Sequence, residues 1–192
     1  MSDNERVGPT ARPSLFNNDK KKRKDMACTQ TLAGIIRDCS NSMGGIKEVY
    51  IANYDDVASL TLSNSVITAI SMVSTKTFKK YAFRPQTAEL VSTPQISSEN
   101  GVAYIQSVLT LQFAKMDTSK RLEINALALG DLAIIVVDNN DKMWYLGKDN
   151  PVVASGGDSG TGKAFGDANR YGIQLTDNSL EYPFEFNGDI PV

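Results

Sequence analysis

The sequence predicts a mainly β protein with one α-helix near residues 118–129, and three observations carry that reading. From residue 46 onward, short runs rich in Val, Ile, Thr and aromatic residues recur, each closed by Asn, Asp, Ser or Gly. Residues 105–113 alternate, with Ile105, Leu109, Leu111 and Phe113 on one face and Gln106, Thr110 and Gln112 on the other. Such alternation describes a strand with one dry face and one that is wet or meets a polar partner. Residues 118–129 break this texture and carry helix signals at both ends.

Taken in chain order, residues 1–25 come first. They hold two prolines, few large apolar residues and the run Lys20-Lys21-Lys22-Arg23-Lys24. A disordered basic extension is expected there, with ordered sequence beginning at Met26, so that residues 26–192 form a single domain. Ile46–Asn53 and Val66–Ser74 read as strands. Thr77–Phe83 and Thr87–Val91 flank Arg84-Pro85-Gln86, which suggests a hairpin. Val102–Ala114 is the strongest strand. The helix follows Asp117, a good N-cap, and stops at Gly130, a good C′ residue. Leu122, Ala126 and Leu129 share a stripe that is expected to pack on a sheet. Two hairpins are then expected. One joins Leu132–Val137 to Lys142–Leu146 through Asp138-Asn139-Asn140-Asp141, and the other joins Tyr171–Thr176 to Tyr182–Phe186 across Asp177-Asn178-Ser179. The acidic turn at 138–141 lacks the closing glutamate of a calcium loop and reads as turn chemistry.

Composition limits the chemistry. The chain has 192 residues, 41% hydrophobic and 22% charged, the proportions of a single globular domain. Its longest apolar run, Leu132–Val137, is far short of the roughly 20 residues that span a bilayer. The N-terminus has no apolar core of a secretory signal. No membrane partner is expected. Two cysteines, Cys28 and Cys39, and no histidine leave no usual zinc site, and the thiols are expected to be reduced. No metal or cofactor is expected. Of the 20 basic and 22 acidic side chains, seven and four fall in residues 1–25, so the remainder is acidic and poorly suited to gripping phosphate backbones.

Gly147–Asn169 reads as 23 aperiodic residues between two hairpins, and loops of that length are usually functional or disordered. Two motifs sit inside it. Gly157-x-x-x-x-Gly162-Lys163 has the glycines and lysine of a phosphate loop, but Ala164 replaces the hydroxyl that would bind magnesium, and no helix signal follows. Gly157-Asp158-Ser159-Gly160 has the form of a serine-protease nucleophile, but a chain without histidine lacks the usual base for Ser159. No enzymatic activity and no small-molecule substrate are expected. Five glycines between residues 156 and 166 lose much entropy on ordering, which contacts from a neighbouring subunit could offset. The candidate inter-subunit contacts are Val152, Val153, Gly157, Gly160, Gly162 and Phe165, with Phe165 as anchor.

Over roughly residues 26–190 the chain resembles major tail tube proteins of tailed bacteriophages, chiefly those of Bacteroides-type hosts. The resemblance lies in Met26-Ala27-Cys28-Thr29 and in Gly44-Gly45-Ile46-Lys47, continued by Val49-Tyr50-Ile51-Ala52. It continues in Gly162-Lys163-Ala164-Phe165-Gly166-Asp167-Ala168-Asn169-Arg170-Tyr171, in Ile173, Leu175 and Thr176, and in Tyr182-Pro183-Phe184-Glu185-Phe186. It implies two packed β-sheets in a sandwich or barrel plus a helix. It further implies homo-hexameric rings stacked into a tube, contacts with other tail proteins, and DNA passing through without specific binding. The implied location is the virion tail, assembled in the host cytoplasm. Two alternatives stay open. One is another ring-forming part, such as a terminator, a head–tail joining ring or an injection tube. The other is a monomeric β-domain that binds nucleic acid through its basic tail.

Overall fold

The computed structural model describes residues 32–192. The basic extension, the start at Met26 and Cys28 lie outside the described residues. Contacts divide the chain into Met1–Ser40 and Asn41–Val192. In the first unit, residues 32–40 are exposed and without regular structure, and Cys39 is an exposed thiol with no disulfide partner among the described residues.

The second unit holds twelve strands and one helix, arranged as two sheets. The first seven strands are β1 (Ile46–Asn53), β2 (Val57–Ser63), β3 (Val66–Met72), β4 (Lys79–Tyr81), β5 (Ala88–Ser97), β6 (Val102–Ala114) and β7 (Leu132–Asp138). The helix α1 (Thr118–Leu129) lies between β6 and β7. After them come β8 (Met143–Leu146), β9 (Val153–Gly156), β10 (Ser159–Gly160), β11 (Arg170–Ser179) and β12 (Phe184–Phe186). One sheet runs β2-β3-β12-β8-β7-β1-β4 and the other β10-β11-β6-β5, with β9 also paired to β11. This is the mainly β, two-sheet, one-helix class that the sequence predicts.

The core explains why β7 is apolar throughout. Leu132, Ile134 and Val136 point between the sheets, joining Val49 and Ile51 from β1 and Leu109, Leu111, Ile173 and Leu175 from the second sheet. Ala133 and Ile135 point the other way, into a second cluster with Ile67, Phe78, Tyr145 and Phe186. Both faces of β7 are therefore dry, and alternation disappears from its sequence. Each fully buried Leu, Ile or Val contributes about 1.5–3 kcal/mol relative to exposure.

Several expectations need correction. Tyr81 belongs to one sheet and Ala88 to the other, so Arg84-Pro85-Gln86 is a crossover between sheets and not a hairpin turn. Likewise Asp177-Asn178-Ser179 lies within β11, and β12 pairs with β8 and β3 in the other sheet. A hairpin and a crossover share the same local signature, and only the distant partner decides between them. The strand β2 was not expected. It pairs with β3 around Asn64 and Ser65, both at positive φ, as a tight two-residue turn requires.

The helix has its expected bounds and cap, with the Asp117 side chain accepting the Lys120 N–H at 2.8 Å. Its packed face differs from expectation. Ile124 and Leu127 meet the core, whereas Leu122 and Leu129 are 58% and 90% exposed. The stripes 122/126/129 and 120/124/127 are both helical in spacing. The inner stripe contains Lys120, whose ammonium turns to the Ala114 and Lys115 carbonyls, so hydrophobicity alone selects the wrong face. Gly130 also ends the helix in extended geometry, φ −92°, rather than as a left-handed cap.

Candidate assembly surface

The segment expected to be one irregular loop, 147–169, contains two strands, both built against β11. Its course begins at Gly147, φ +92°, where an added Cβ would lie 3.1 Å from the Leu132 carbonyl. Val152 then exchanges both backbone hydrogen bonds with Leu132 at 2.9 Å and is fully buried. Val152 is therefore part of the chain's own core and has no surface to offer a neighbour, which corrects its expected role as a contact. Val153 pairs with Thr176 and is 39% exposed. Beyond β9, Gly157 passes so close to β11 that a Cβ would sit 2.3 Å from the Gly172 carbonyl. Glycine is needed there for backbone approach. Gly160, in β10, has open space around it.

The connection from β10 to β11, residues 161–169, is a braced turn. The Asp167 carboxylate accepts the N–H groups of Lys163 and Ala164, both at 2.7 Å, and the Asp167 N–H donates to the Ala164 carbonyl. These N–H donors hold the Asp167 carboxyl below the usual carboxylate range. Gly162, φ +75°, closes the turn where a Cβ would meet the Asp167 side chain at 2.5 Å. Asn169 fastens the far end, accepting the Lys115 N–H on its carbonyl and the Met116 N–H on its side chain. The resemblance to a phosphate loop now has a physical reading. The amides that would cradle a phosphate already hold the chain's own carboxylate, and no helix follows Lys163. Ser159 is exposed, and its hydroxyl bonds to no basic group among the described residues.

At the tip of this turn stands Phe165, fully exposed. Turn residues between 161 and 169 thus present an aromatic ring to water on a scaffold fixed at both ends. Of the remaining expected contacts, Gly157 and Gly162 shape the backbone that carries it, whereas nothing around Gly160 requires a glycine. Sequence reasoning missed the role of Asp167, although Asp placed a few residues after glycine and free N–H groups is a recognisable turn former.

The outer face of the second sheet is the other extended surface. Because Ser107, Leu109, Leu111 and Phe113 point inward, Gln106, Thr110 and Gln112 point outward, flanked on β11 by Gln174 and Asn178. Apart from Glu89 and the Arg170–Asp158 ion pair at its margins, this face offers amides, hydroxyls and small apolar groups rather than charge. Among the described residues no group of three or more potential metal ligands occurs, and no helix is long and apolar enough to cross a membrane. No protein-family model, curated protein or solved structure matches the chain.

Proposed function

We propose that the chain is a structural subunit that assembles with copies of itself into rings, in the manner of the tail tube proteins it resembles. The observation that carries this reading is Phe165. An aromatic side chain buries about 150–250 Å² when covered, and here a braced turn holds one wholly in solvent. A monomer gains nothing from that arrangement, whereas a neighbour that covers the ring gains an anchor. The uncharged outer face of the five-stranded sheet supports the same reading. A wall of Gln, Thr and Asn, whose marginal Arg170 is already paired with Asp158, gives a passing phosphate backbone no free cation to pair with, so DNA slides past without being held. The low charge of the wall achieves this.

Size-exclusion chromatography paired with a DNA titration at two salt concentrations tests the proposal. Assembly predicts a concentration-dependent shift to ring-sized species and weak DNA binding. A monomer with tight binding that collapses in salt supports the nucleic-acid module instead.

A further inference from the structure

An exposed ring such as Phe165 is covered best by an apolar cleft, and the chain has such a cleft beside β5. On the β5 side, the two sheets part to leave a cleft of about 490 Å³. Its walls are Ile46, Val136 and Trp144 from the seven-stranded sheet and Ala88 and Leu90 from β5, with Glu89 on the rim. Trp144 is fixed as a wall because its indole N–H donates to Asp138 at 3.2 Å. The phenyl-bearing turn joins β10 to β11 and is fastened to the end of β6, and the cleft opens beside β5. Both lie toward the same end of the strands, since Arg170 pairs with Ala114 and Ala88 with Leu111.

Charge favours this cleft over one lined by Tyr81 and Phe113. Lys163 lies two residues from Phe165, and neither it nor Glu89 takes part in an ion pair among the described residues. A cleft of about 280 Å³ beside Tyr81, Phe113 and Ile124 carries three lysines, Lys79, Lys80 and Lys120, against one carboxylate, Glu123, which already accepts the Tyr81 hydroxyl. The Trp144 cleft has a lone carboxylate on its rim instead. We propose that Phe165 of one copy seats in the cleft between Leu90 and Trp144 of the next, with Lys163 against Glu89 of that copy. The contact deepens the assembly reading above and rests on it. Knob and hole are different surfaces of the copy, so each copy offers its knob to one neighbour and its hole to another. Such heterologous contacts close into rings or run on as filaments.

The test measures the half-assembly concentration of the full chain by sedimentation, for wild type, Phe165→Ala, Lys163→Glu, Glu89→Lys and the double reversal. All three positions are exposed, and far-ultraviolet dichroism verifies each fold. Phe165→Ala raises the concentration at least about tenfold, the effect of losing an aromatic anchor. Each single reversal raises it by about fivefold or more, and the double reversal returns it to within about twofold of wild type. If wild type assembles but Phe165→Ala does so equally well, or the double reversal stays as impaired as the singles, the knob-and-cleft contact is wrong while assembly stands. A wild type that stays monomeric overturns the assembly reading itself, and this contact with it.

Discussion

Asp177 is buried at 3% exposure, facing into the sandwich from β11. Burial raises its carboxyl above the ordinary Asp range, as does nearby Asp149, against the Ser179 hydroxyl and the Gly147 N–H, which favour the charged form. A folded-state pKa above the unfolded one favours the protonated fold. Asp177 thus adds stability as pH falls through its folded pKa, and at neutral pH the buried charge costs stability. Asp177→Asn removes that charge and can still bond both partners. It should raise the melting temperature at pH 7 by about 2–4 °C, a gain of about 1 kcal/mol, and the gain should shrink as pH approaches 4. A lower melting temperature at pH 7 would mean that the ionised hydrogen bonds outweigh burial. The glycines give a paired test in thermal melts. Gly157→Ala drives a Cβ into the backbone of β11 and should cost about 1–3 kcal/mol, whereas Gly160→Ala meets open space and should change little. Equal effects would refute the close approach.

Among the elements, the helix is the best case of local information. Asp117 accepts from the Lys120 N–H, the Lys120 ammonium and the Ser119 hydroxyl, which hold its carboxyl far below the usual range. A depressed folded pKa places the stabilisation above the ordinary Asp range, to be lost as pH falls through the folded value. Asp117→Ala should therefore lower the melting temperature by a few degrees at pH 7 and by less in acid, a difference calorimetry resolves. The bounds of α1, β6 and the β7–β8 hairpin were legible because caps, alternation and turn residues are local. The partners of β4, β5 and β12 were not, since a run of turn residues between two strands does not say whether the chain stays in its sheet. β2 was legible in principle, from Asn64-Ser65 between two β-rich runs. In the assembly segment, Phe165 could be picked out from the sequence as a large apolar residue in a polar loop. The burial of Val152 could not, because its partner Leu132 is set by tertiary folding.

As a whole, the molecule carries a braced knob over the strand ends of the five-stranded sheet, a cleft beside β5, and an outer face whose charges lie at its margins. These features have a common use if copies join edge to edge with that face turned toward a channel. The most direct measurement is electron microscopy of the purified full chain, with class averages taken across a range of protein concentrations. The account predicts closed rings with an open centre and six-fold symmetry, stacking into tubes as concentration rises. Particles of single-subunit size at every concentration would contradict it.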